Sequence, residues 1–194
     1  MLPGALRTEI WDALARARQV SYPLPPHGHH PNFRGARAAA ANLLAHSEVA
    51  PLRILVVGPE RVLLPFRKLA LAEGRVLFVP HPHKEGRYWR LTNPGAARLS
   101  RMHGLGEEVA VPDLAQGVVL ACVAASRDGG RLSKGFGWGA RGLALGVPTF
   151  TLAHPMMLRT TLPCAPDSRV RLIATTREVI AASAPAASEF GRGG

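Results

Sequence analysis

The chain has 194 residues, 47% of them hydrophobic, and at this length about 70% of the unfolded surface can be buried in one core without metal or disulfide staples. A fibrous chain, a wholly disordered chain and a disulfide-dependent miniprotein are thereby excluded. Lysines and arginines number 24 against 13 acids, and the net charge of +11 points to anionic partners: nucleic acid, nucleotides, phosphorylated or polyglutamylated small molecules, or acidic lipid. Only Lys68, Lys84 and Lys134 are lysines; arginine carries the rest, as suits either a G/C-rich genome or a set of planar anion clamps. Cys122 and Cys164 are too few and too far apart for a zinc knuckle, and Cys122 lies in the apolar run GVVLACVA, where it reads as a small buried hydrophobe. The start, MLPGALRTEIWDALARARQ, lacks a signal-peptide core, and no run approaches 18 apolar residues. The expectation is a cytoplasmic protein with no membrane partner.

In chain order, Thr8 to Gln19 predicts an amphipathic helix with Ile10, Trp11 and Leu14 on one face and Thr8 as N-cap. The proline-rich stretch SYPLPPHGHHPNFRG cannot be regular, and its Tyr22 and Phe33 suit the lining of a cleft. A second helix is predicted over Ala36 to His46. From residue 53, short apolar runs (RILVVG, RVLFVP, GVVLACVA, PTFTLA, RVRLIATT) alternate with helix-like segments, the rhythm of a mainly parallel sheet buried on both faces. A helix from Leu63 to Glu73, ended by Gly74, makes a βαβ unit of the first two runs. YWRL and EEVAV read as strands around a short helix beginning near Asn93. Further helices are expected around Ala140 to Leu145 and from Arg177. The predicted organisation is one domain over residues 1–184 with a flexible, low-complexity tail at 185–194.

The stretch DGGRLSKGFGWGARG, Asp128 to Gly142, carries the clearest chemical signal. Placed between a strand and a predicted helix, Gly135, Gly137 and Gly139 leave backbone N–H groups uncovered, and a helix N-terminus beyond them favours phosphate. Arg131 and Lys134 supply counter-charge. Neither the dinucleotide fingerprint nor the Walker sequence is present.

That loop resembles the signature of the 5-formyltetrahydrofolate cyclo-ligase (methenyltetrahydrofolate synthetase) family, roughly G-x-R-L-G-x-G-x-G-Y-Y-D-R, with Gly129, Arg131, Leu132, Gly135, Gly137 and Arg141 in place. Other landmarks follow in the same order: Arg7 with Ile10-Trp11, then Pro31, Asn32, Phe33 and Gly35, the strand RVLFVPHP, and DSRVRLIATTREVI, similar to the family's final strand and helix. The resemblance implies a three-layer α/β/α sandwich around a mainly parallel open sheet. It also implies an ATP- and magnesium-dependent reaction in which the formyl oxygen of 5-formyltetrahydrofolate is phosphorylated, N10 closes on the activated carbon and phosphate leaves. On this basis Arg131 and Lys134 are the catalytic candidates, because phosphoryl transfer needs cations on its developing charge. Arg7, Gly129, Arg131, Lys134, Gly135, Gly137, Gly139 and Arg141 form the candidate ATP and phosphate site. Asn32, Phe33 and Trp138, with Trp89 in reserve, are the candidate substrate contacts; for each aromatic, core packing is the competing role.

Several positions depart from the pattern. Ala140 replaces the aspartate expected to support magnesium, Ser133 replaces a glycine, and Arg171 stands where the last strand usually carries an acid, while Asp167 is retained. His29 and His30 replace the usual Arg-Ile before Pro-Asn-Phe. The histidines at 27, 29, 30, 81 and 83 have no cysteine or carboxylate companions in sequence, so no metal site is assigned, and polar contacts to an anionic ligand are expected of them instead. Two function classes follow: a folate-handling cyclo-ligase relative, or a catalytically degenerate relative binding a nucleotide, nucleic acid or other polyanion in the same basic cleft. A sugar-phosphate isomerase lacks the poised base it would need. The deciding structural question is whether a carboxylate such as Glu60 or Asp113 converges on Lys134 and Arg131.

Overall fold

A computed structural model describes residues 1–183; the expected tail at 185–194 lies outside the described residues. The chain opens with α1 (Pro3–Arg16), set going by a proline in the first turn, where its missing N–H costs nothing, and it buries Leu6, Ile10, Trp11 and Leu14. The helix therefore starts a turn earlier than Thr8, whose hydroxyl donates to the Gly4 carbonyl rather than capping. Next come α2 (Ala36–Ala45), β1 (Ile54–Val57), α3 (Leu64–Ala72) after a 3-10 turn at Arg61–Leu63, and β2 (Val76–Pro80). Then follow β3 (Tyr88–Leu91), α4 (Leu99–Leu105), β4 (Glu107–Val109), β5 (Gly117–Ala121), β6 (Ala124–Ser126) and β7 (Gly130–Leu132). The last elements are β8 (Thr149–Leu152), β9 (Leu158–Arg159), β10 (Ser168–Arg169), β11 (Leu172–Ala174) and β12 (Val179–Ala181).

Eight strands form the main sheet in the order β12-β11-β8-β5-β1-β2-β3-β4. Its centre, β11-β8-β5-β1-β2, is parallel, and β3, β4 and β12 add antiparallel edges. A second sheet, β10-β7-β6-β9, stands beyond the end of β5. The fold is the expected α/β class with a mainly parallel sheet.

Two predicted helices are absent. Residues 140–145 form turns, because Gly139, Gly142 and Gly146 all take positive φ, which a continuing helix cannot accommodate. The segment after Arg177 is β12: the Thr175 hydroxyl accepts from the N–H groups of Arg177 and Glu178, turning the chain back so that Val179 and Ile180 pair antiparallel with β11.

Alternation along the central strands divides the core. Leu55, Val57, Leu77, Val79, Val119 and Ala121 face the buried side chains of α1 to α4 in one large cluster. Val56, Phe78, Val118 and Leu120 form a smaller cluster on the opposite face, covered by Trp138, Leu143 and Val147 from the irregular stretch after β7. The third layer of this sandwich is thus built of loop rather than helix among the described residues.

Candidate functional site

The strand order reverses between β1 and β5: from β1 the chain proceeds through α3 to β2 on one side, while β5 lies on the other. Connections leaving two such neighbours diverge, and the crevice outside their carboxyl ends is where open α/β sheets bind ligands. After β1 come Gly58, Pro59 and Glu60; after β5 come β6, β7 and the glycine loop. Both segments border a cleft of about 920 Å³ whose lining includes His30, Glu60, Tyr88, Lys134, Gly137 and Trp138.

Lys134 is a half-buried cation of this cleft. Its ammonium lies 4.5 Å from the centre of the Phe136 ring and has no carboxylate partner among the described residues. Glu60 converges on it, whereas Asp113 borders a separate hollow against Ile54, Val76 and Phe78. The Glu60 side chain is 16% exposed, and its Oε1 lies 3.5 Å from Nδ1 of His30, whose side chain is 1% exposed. Glu60 Oε2 and His30 Nδ1 are both buried without a hydrogen-bond partner. The carboxyl folds over Gly58, where an added Cβ would meet Oε2 and displace the acid from this position. Burial raises the Glu60 carboxyl above the usual range, against the pull of its own backbone N–H and of Arg131, Arg67 and Lys134. Burial likewise holds His30 well below its ordinary value, and the charges of Arg131 and Lys134 add to this.

The other sequence-predicted residues are spread over three settings. Arg131 is 1% exposed and donates inward to the carbonyls of Ala121 and Gly139 and to the Ser168 hydroxyl. It braces the glycine loop through Nε and Nη1. Arg7 donates to the Ser133 carbonyl at 2.6 Å and to Asp167 at 3.0 Å, supporting the same loop from α1. Gly129 sits in the β6–β7 turn against Val170 and Ala182. Gly135, Gly137 and Gly139 have φ of 100°, 83° and 68°, and Gly137 borders the cleft, but no helix follows to add a terminal partial charge. Arg141 is exposed with no hydrogen-bond partner among the described residues. Asn32 donates to the Tyr22 carbonyl, and Phe33 is 2% exposed in the core, edge-on to His154. Trp89 is buried under His81. Of the aromatic candidates, Trp138 is on the cleft, edge-on to Tyr88. Sequence reasoning assigned no role to Tyr88 or Arg61, which also border it; the position of Arg61 just before α3 gave no signal beyond charge.

Magnesium keeps several waters and is held by one or two carboxylates together with substrate phosphates. Among the described residues no three His, Cys, Asp or Glu side chains converge as a metal group. Glu60 is held among cations, Asp167 accepts from Arg7 and Ser133, Asp128 from Ser126 and Gly130, and position 140 offers a methyl group. Glu60 apart, these acids are committed to protein donors, so the set offers no all-protein magnesium cage.

No protein-family profile matches the chain. The chain is 29% identical over 175 residues to a mouse methenyltetrahydrofolate synthase domain-containing protein, covering 77% of this chain and 46% of that one. To the human protein of the same name it is 30% identical over 149 residues, covering 69% and 38%. The chain thus spans less than half the length of these curated relatives. Among solved structures, 5,10-methenyltetrahydrofolate synthetase of Aquifex aeolicus aligns over 98% of this chain and 100% of its own, with a TM-score of 0.62 at 18% identity, a likeness of fold.

Proposed function

We propose that this chain, a divergent member of the 5-formyltetrahydrofolate cyclo-ligase family, uses the cleft at its β1–β5 switch point to bind an anionic, flat-ringed small molecule of the folate class. The observation that carries this reading is the convergence of Lys134 with the Glu60–His30 pair in one cleft walled by Trp138 and Tyr88. A cation without an acid partner suits a ligand carboxylate or phosphate, an aromatic wall suits a pterin, and a partnerless carboxyl at the floor suits a ring nitrogen or oxygen. The name of the curated relatives points to the same ligand class.

The family's magnesium-dependent phosphoryl transfer is not part of this reading, because position 140 is alanine and no three His, Cys, Asp or Glu side chains converge among the described residues. The chain's own residues bind and orient: Lys134 attracts the anion, Arg7 and Arg131 hold the loop that carries Lys134, and Trp138 covers the ring. Calorimetric titration with 5-formyltetrahydrofolate, with and without ATP and magnesium, tests this. Saturable binding without formation of the methenyl product is expected. Turnover would restore the cyclo-ligase reading. No folate binding together with salt-dependent RNA binding would transfer the +11 charge to a polyanion role.

A further inference from the structure

The floor of the cleft is built around a buried histidine, His30. His30 comes from the proline-rich loop between α1 and α2, and its Nε2 lies 3.3 Å from the backbone nitrogen of Lys134. An amide N–H can only donate, so Nε2 is the bare nitrogen and the neutral ring carries its proton on Nδ1. That Nδ1–H faces Glu60 Oε1 at 3.5 Å without a hydrogen bond being made, and Glu60 Oε2 is likewise buried without a partner.

Cations surround the pair, yet almost all are committed elsewhere. From α3, Arg67 donates to the carbonyls of Gly58, Glu60 and Ala97. From β7, Arg131 donates to Ala121, Gly139 and Ser168, and from α1, Arg7 donates to Ser133 and Asp167. His29 is the neighbour in the loop, and Lys134, facing the pair from the glycine loop, rests its ammonium over Phe136. No lysine or arginine among the described residues makes an ion pair with Glu60, whose contact of that kind is with the neutral His30 ring. A buried carboxyl with neither a direct cation nor a donor on its second oxygen is destabilised as an anion.

We infer that His30 and Glu60 form a proton-holding pair, in which the neutral Nδ1–H tautomer of His30 positions Glu60 as a neutral carboxylic acid facing the ligand. His30 is the positioning residue, acting through Glu60. A neutral acid beside Lys134 donates a hydrogen bond to an acceptor oxygen of an anionic ligand, whereas an ionised Glu60 repels the same oxygen. Binding of such a ligand is then coupled to a proton, and affinity weakens as that proton is lost.

This deepens the proposed function and rests on it only for its ligand measurement. Two measurements need no ligand. Imidazole nitrogen shifts of the unmodified protein, with His30 assigned by comparison with His30→Asn, are expected to give the neutral Nδ1–H tautomer at neutral pH. A protonated ring or the Nε2–H tautomer would overturn the inference. Infrared difference spectra between the unmodified protein and Glu60→Gln are expected to contain a protonated carboxylic carbonyl band at neutral pH, and a carboxylate band in its place would overturn it. In the ligand measurement, affinity for 5-formyltetrahydrofolate is expected to fall by up to about tenfold per pH unit once Glu60 ionises, and to be flat in Glu60→Gln. A slope that survives in Glu60→Gln would overturn the assignment. If no folate binds at all, the proposed function fails while the two spectroscopic results still decide the state of the pair.

Discussion

Asp167 Oδ2 accepts a hydrogen bond from Arg7 at 3.0 Å and two more from the Ser133 nitrogen and hydroxyl at 2.9 and 2.7 Å. One carboxylate oxygen thereby ties α1 to the residue that begins the glycine loop, and Ser133 Oγ in turn accepts from the Gly135 N–H. The serine that departs from the family-like pattern is therefore part of the loop's support. Asp167→Ala removes three charge-assisted bonds in a half-buried setting and is expected to lower stability by about 1–3 kcal/mol in chemical denaturation. Asp167→Asn should lose less, since its amide oxygen still accepts.

Gly58→Ala places a methyl group where the Glu60 carboxyl lies, against Oε2. The flexible acid must swing away, so ligand affinity is expected to drop while the melting temperature changes little. Calorimetry and a thermal melt of the same preparation check both halves.

Ligand occupancy has a built-in reporter. Trp11 and Trp89 are buried, and Trp138 borders the cleft. A change in tryptophan emission on adding 5-formyltetrahydrofolate is expected in the unmodified protein and is expected to vanish in Trp138→Phe.

His30 also contributes to the acid-side loss of stability. Its folded-state pKa lies well below the ordinary value through burial and the nearby charges of Arg131 and Lys134, so below about pH 6.5 the unfolded chain binds the extra proton first. Stability contributed by the neutral ring is present above that pH and is lost as pH falls toward the lowered folded value. Glu60 has the opposite sign: with its pKa raised by burial, the folded chain keeps a proton the unfolded chain has released, so stability declines as pH rises from about 4.5 through the raised value. Denaturation series at stepped pH are expected to show the acid-side loss in the unmodified protein and a reduced loss in His30→Asn.

Much of the fold was legible because period and punctuation agree. The apolar runs became β1, β2, β5, β8 and β11, and Gly74 ended α3 at φ 77° as a terminal glycine should. Helices at 140–145 and after Arg177 were misread because positive-φ glycines and the Thr175 turn are local backbone decisions that apolar spacing does not encode. In the site, Lys134 and Trp138 could be chosen from the loop, but Arg131 could not be distinguished from them. Its burial depends on Ser168 and Gly139 closing round it, a contact across 37 residues in one case. Glu60 carried a faint signal, an acid just after Gly-Pro at the end of the first strand, and only the strand order brought it opposite Lys134.

The central claim is that Lys134 holds an anionic folate-class ligand in this cleft without a protein-bound magnesium ion. Its most direct test is the dissociation constant of 5-formyltetrahydrofolate for the unmodified protein and for Lys134→Ala, each measured in chelator and in magnesium. Equal affinity in the two buffers and a weakening of about tenfold or more in Lys134→Ala are the expected results. Binding that requires magnesium, or that is indifferent to the loss of Lys134, would contradict the account.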